Sequence, residues 1–246
     1  MISKSFSIAV CTSSFLYTFY ILCNLMYFLS THNENQKTLL QTTKAENLNL
    51  STTWALLMNA CLLSSFMLQH SVMASNYAKE IYSKLDIQDL ERSIYNASSA
   101  AVLHLLMRYW QSVPWVSIWD IDTAHNNTLW LVFSGFHVLG WFIVYSGCLM
   151  MDISELAGLK QVYYKISARP SPMAMKSLEL QRYYAHMRHP SFSGFLIILW
   201  LHPFMTVDRF LLATIVTLYM VLMWSIDEND YNYHANVIRR KRLQLS

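Results

Sequence analysis

Apolar side chains run almost unbroken from Phe6 to Leu29. Those 24 residues are long enough, as a helix, to cross a hydrocarbon core of about 30 Å. The stretch is too long for the apolar region of a cleaved signal, and no small-x-small site follows it. It reads as a retained first helix. Similar runs extend from about Thr53 to Met73, Ser93 to Trp110 and Thr128 to Met151. The third is short and carries Asn96, His104 and Arg108, which leaves open a helix buried in the bundle or lying in the interface. A last apolar region, Phe192 to Ile226, is broken by His202-Pro203 and Asp208-Arg209. Pro203 cannot continue a helix, and a charged pair fits a turn at the surface. The expectation is a tight helical hairpin, with helices over 192–206 and 209–226.

The predicted fold class is therefore all-α: one multi-pass transmembrane helical bundle over 1–246, with about six helices (6–29, 53–73, 93–110, 128–151, 192–206, 209–226) and a basic tail, 227–246. Composition agrees, with 54% hydrophobic and 13% charged residues, where a soluble domain carries about 25% charged. Cys11, Cys23, Cys61 and Cys148 all sit inside apolar stretches. Without loop spacing for a disulfide framework or a zinc site, they read as small hydrophobes.

Charge then orients the bundle. With six crossings, Lys4, loop 74–92, loop 152–191 and the tail carry fourteen Lys and Arg on one side. The other side has Lys37, Lys44 and Arg209, with Arg108 as a fourth. By the positive-inside rule both termini face the cytosol or the nucleoplasm. Two sequons, at Asn49 and Asn126, fall on the opposite, lumenal side close to helix starts. Tyr109, Trp110, Trp115, Trp119 and Trp130 cluster there and fit an interfacial aromatic belt.

Polar residues within the spans fall on stripes. Asn59 and His70 are eleven residues apart, about three turns, and Gln69 adjoins them. Asn96, His104 and Arg108 are spaced by multiples of four, and His137 sits midway along helix four. Interhelical hydrogen bonding is the favoured reading, with a ligand pathway as the alternative.

One motif carries candidate chemistry. Tyr184, Arg188, His189, Pro190 and Gly194 stand where a charged loop meets an apolar helix, and Asp227-Glu228 leave the last helix on the same side. Pro190 suits a first helical turn. Gly194 allows close approach of another backbone or a ligand. The arginine could take a carboxylate and the acids an ammonium or a ribose hydroxyl. His186 and His189 have metal-pair spacing but no third ligand, so no metal is expected. Arg239–Arg242 read as a positive-inside anchor, with anionic lipid, chromatin or an import receptor as alternatives.

The run Arg188-His189-Pro190-Ser191-Phe192-x-Gly194, with Tyr184 before it and Asp227-Glu228 after it, resembles the isoprenylcysteine carboxyl methyltransferases. That resemblance implies an S-adenosylmethionine site built from those residues. The chain departs from the pattern: Arg182 replaces a glycine, the acidic pair is Asp-Glu, and no Gly-x-x-Tyr-x-x-Tyr element follows. A resemblance over more of the chain is to the nurim family of nuclear envelope membrane proteins, related to that superfamily. It rests on Gln69–Ala74, Glu91–Tyr95, Leu106–Trp110, Glu155–Tyr164 and the Arg188-His189-Pro190 region. It implies residence in the nuclear inner membrane, with the endoplasmic reticulum as alternative. It also implies a structural or interaction role, with lipid, lamina or chromatin partners met through basic loops and tail and no specific nucleic-acid recognition. An S-adenosylmethionine-dependent methyltransferase acting on a lipidic or small thiol or carboxyl acceptor is the second expectation.

Overall fold

The computed structural model describes residues 4–30, 45–177, 180–181, 191–223 and 228–245. In chain order the elements are α1 (Lys4–Ser30), α2 (Ala45–Ala74), α3 (Asn76–Lys84), α4 (Glu91–Tyr109), β1 (Ser117–Asp120), α5 (Asn127–Met150), α6 (Ile153–Leu156), α7 (Leu159–Ile166), α8 (Phe192–Trp200), β2 (Phe204–Thr206), α9 (Val207–Met223) and α10 (Glu228–Leu245). The fold is an all-α membrane bundle, with one small pair of strands among the described residues. Among the described residues three helices are long and apolar enough to cross a bilayer: α1, the Ser51–Ala74 part of α2, and α5. Both α1 and α5 leave large apolar side chains exposed along their outer faces, among them Leu16, Phe19, Leu131 and Phe142. That is the surface a helix presents to lipid rather than to water.

The helices pack in a ring. α1 lies against α4, α4 against α2, α2 against α9, α9 against α8, and α8 closely along α5. The ring closes where Ser30 and His137 meet at 2.7 Å. Six helices contribute to one core: Leu29, Leu63, Leu106, Trp141 with Val144, Ile198 with Leu199, and Leu212 with Ala213. Where α8 crosses α5, glycine meets glycine. A Cβ on Gly194 would lie 2.6 Å from the Gly140 carbonyl oxygen, and one on Gly140 would lie 3.1 Å from that of Gly194. Small residues at such a crossing let the backbones meet, which is how helices associate where lipid removes the hydrophobic incentive.

The expected surface hairpin is corrected. α8 ends at Trp200 after nine residues, a length of about 14 Å. The chain then runs through His202 and Pro203 into β2, whose three residues are all buried. β2 pairs antiparallel with β1, Ser117 opposite Thr206 and Asp120 opposite Phe204, with an irregularity between Ser117 and Trp119. Asp208 is not at the surface. It is buried, and its carboxylate accepts from Trp110 Nε1 at 3.0 Å and from the Val113 amide at 3.1 Å. Its neighbour Arg209 donates to the carbonyl of Leu29 at the end of α1. A buried carboxylate needs such donors, and a cation suits a helix C-terminus. The first turn of α9 therefore ties three segments together.

The aromatic belt is corrected in part. Trp115 Nε1 donates to Thr52 Oγ1 at 2.7 Å and Trp119 Nε1 to the His202 carbonyl at 2.9 Å. With Trp110 on Asp208, three of the four tryptophans fasten this end of the bundle internally. Trp130 alone of the four is exposed. The second sequon also has a local role: the Asn126 side chain accepts from the amides of Thr128 and Leu129 and caps α5.

At the basic end, α3, α6 and α7 form a collar. Ser75 caps α3. Leu159, Val162 and Ile166 of α7 face Val10 and Cys11 of α1 and Leu90 and Ile94 at the start of α4. Gly158, with φ of +88°, precedes α7, and a Cβ there would lie 2.4 Å from Ser93 Oγ. Its left-handed backbone and the close approach of α4 both call for glycine.

Candidate functional site

Most of the predicted cofactor motif lies outside the described residues. That holds for Tyr184, Arg188, His189, Pro190 and Asp227, and also for the His186 pair. Glu228 opens α10, where only its backbone is described. Gly194 is described, and the space beside it is filled by the α5 backbone at Gly140 and by Val144. Ser191 Oγ approaches the Val144 carbonyl at 3.4 Å. The start of α8 is thus seated on α5.

Most of the polar stripe residues are spent on hydrogen bonds between helices or to the backbone just past α4. Asn59, fully buried, exchanges two bonds of 2.8 Å with the backbone of Gln111, donating through Nδ2 and accepting through Oδ1. Gln69 donates to Ser98 Oγ at 2.8 Å. The Tyr95 hydroxyl lies within 2.8 Å of the His70 ring nitrogens, and Ser71 meets Tyr219 at 3.0 Å. Asn96 donates to the Leu156 carbonyl at 2.7 Å, so α4 holds the collar. His104 is 3.4 Å from the Tyr17 hydroxyl. Arg108, by contrast, is exposed.

A cleft of about 1080 Å³ opens at the end opposite the basic collar, between α5, loop 120–125 and the 201–204 turn. His137, Ser30, Trp130 and Phe133 line it. Trp141 Nε1 donates to His137 Nε2 at 3.0 Å, and Ser30 shares that nitrogen. Sequence reasoning did not find this cleft, because its walls come from four separate segments. Among the described residues no group of three or more His, Cys, Asp or Glu could hold a metal ion.

The basic end is ionic. Lys160 pairs with Asp152 at 2.7 Å, Lys176 with Glu155 at 2.6 Å, and Lys165 with Asp89 at 2.6 Å. The Lys160 ammonium and the Ser154 hydroxyl hold the Asp152 carboxyl well below the usual range, at about 2, and the bond to Asp152 in turn raises Lys160. Glu155 and Lys176 side chains are 7% and 9% exposed, so this pair is buried and tied to the fold.

This collar coincides with the segment Glu155–Tyr164 that carried the resemblance, and relatives align across it. The chain is 36% identical to a nurim homolog of Drosophila melanogaster, covering 99% of this chain and 98% of the relative. The homolog of Drosophila pseudoobscura pseudoobscura is 36% identical over 95% of this chain and 93% of its own length. The chain belongs to the nurim family. Nurim of Bos taurus is 39% identical over 75% of this chain and 71% of the relative. No family model matches the chain, and no solved structure matches it. Membership covers the whole bundle, so the collar and the opposite end belong to one nurim-like membrane protein. Nothing in the described geometry favours a methyltransferase.

Proposed function

We propose that this nurim-family protein resides in the inner nuclear membrane with both termini in the nucleoplasm, and that its role there is structural. One observation carries the reading. α10 ends in Arg239, Arg240, Lys241 and Arg242, all exposed and without an ion pair among the described residues. The collar lysines, in contrast, are neutralised within the fold. The tail is thus the cationic surface offered to polyanionic partners at the lamina or chromatin, or to lipid. The charge asymmetry of the loops supports the orientation, and the resemblance to nurim supports the compartment.

Epitope tags at residues 1 and 246 test this reading. Both are expected to bind antibody once plasma membrane and nucleus are accessible and before the lumen is opened, with fluorescence at the nuclear rim. A tag protected until the lumen is breached overturns the orientation. A reticular signal without rim enrichment overturns the compartment in favour of the endoplasmic reticulum.

A further inference from the structure

Among the described residues, the segment between α5 and α8 holds a cation that no carboxylate neutralises. Of the four cations in residues 152–177, Lys160, Lys165 and Lys176 each contact a carboxylate within 2.7 Å. Arg169 has no carboxylate partner among the described residues. Its guanidinium lies 5.7 Å from the ring centre of Tyr163 and 5.8 Å from that of Tyr164. The backbone sets this geometry. α7 ends in a Schellman turn, with Ala168 at φ 53°, the Ala168 amide on the Lys165 carbonyl, and the Arg169 amide on the Tyr164 carbonyl at 2.9 Å. That turn folds Arg169 back over the last turn of the helix.

Depth places this group at the membrane surface. The apolar face of α7 packs on Val10 and Cys11. Cys11 is five residues inside the first apolar residue of α1, Phe6, or about 8 Å along the helix. An amphipathic helix lying in the interface sinks its apolar face about 5–10 Å. Tyrosine prefers that level, and Tyr163 is exposed there. Exposed Met150 and Ile153 precede α7, and exposed Met173 and Met175 follow Arg169. These are side chains suited to acyl chains on either side of a headgroup. A planar guanidinium held against two rings keeps its N–H edge for a phosphate, which it can bind through two donors.

We propose that α7 is an interfacial helix and that Arg169, held by Tyr163 and Tyr164, binds the phosphate of an anionic phospholipid. The site depends on depth and packing. It does not depend on which compartment the termini face, so its test is separate from that of the proposed location.

The test is native mass spectrometry of the full-length protein released from detergent micelles, titrated with phosphatidylserine or phosphatidylcholine. Wild type is expected to retain one phosphatidylserine saturably and to hold phosphatidylcholine more weakly. Arg169→Gln is expected to weaken the first phosphatidylserine about fivefold, the size of one cation near a membrane surface. Lys79→Ala, which removes an exposed cation on α3, should leave it unchanged, and millimolar inorganic phosphate should not compete. Tyr163→Leu serves as a second variant should Arg169→Gln alter the melting profile, and it should also weaken binding. Wild-type affinity in both Arg169→Gln and Tyr163→Leu overturns the site. So does an equal loss in Lys79→Ala, which would mean diffuse charge only. Competition by free phosphate would make this a soluble-anion site and overturn the lipid assignment.

Discussion

The two ends of the bundle are fastened by different chemistry. At the end where α1 stops, side chains hold backbone. Asn59 pairs with Gln111, Trp119 with the His202 carbonyl, Arg209 with the Leu29 carbonyl, and Asp208 with the Val113 amide. At the basic end the fastenings are lysine–carboxylate pairs, Asp152–Lys160, Glu155–Lys176 and Asp89–Lys165. The loops at this end carry several lysines, and acids in or near the same loops turn those cations into ties. The other end has few cations, so its loops and strands are held by neutral groups, one buried acid and one arginine. Each end has used the polar groups its composition supplied.

Three measurements break or sharpen that contrast, all by helix ellipticity during unfolding in detergent. Asp208→Ala should have the largest effect, about 3 kcal/mol, because it strands the Trp110 indole N–H and the Val113 amide in a buried place. A variant that melts like wild type would mean that water or another acceptor takes over. Glu155→Ala at the basic end should remove about 2 kcal/mol, since Lys176 loses a buried partner but has a long stem with which to reach water. A loss equal to that of Asp208→Ala would erase the distinction between the ends.

The smallest effect is acid sensitivity. Asp152 titrates at about 2 in the fold against an ordinary value of 3.8. A carboxyl lowered on folding stabilises the fold above its unfolded value and loses that contribution as pH falls toward its folded one. Between pH 4 and pH 2 wild type should therefore lose stability that Asp152→Asn has already lost. The difference should stay below about 1 kcal/mol, because the pair is partly exposed. Parallel curves for the two proteins over that range would remove Asp152–Lys160 from the ties.

Much of the bundle was legible in the chain. The apolar runs 6–29, 53–73 and 128–151 correspond to α1, α2 and α5, since only a helix satisfies its own backbone in lipid. The stripes on α2 and α4 pointed correctly to interhelical bonds at Gln69, His70, Asn96 and His104, while Asn59 instead holds the backbone just past α4. The turn of the hairpin was misread because charge at a break in an apolar run looks the same whether water or a buried indole solvates it. The strand Phe204–Thr206 hid inside the same run, three residues being too few to show a period of two. For the candidate cofactor site, only Gly194 can be followed in full, and there the neighbour is the backbone of Gly140.

By itself the sequence determined that this chain is a helical membrane protein of the nurim family, with its cations concentrated in a few loops and the tail. Those properties follow from residue type and order, which set both the transfer energy of each segment and the bias of its loops. Tertiary structure alone decided which polar group meets which. Asp208 finds Trp110 ninety-eight positions away, Lys165 finds Asp89 across seventy-six, and Arg169 is left over two tyrosines. Such pairings depend on how helices cross and where turns reverse, and no local pattern records those distances.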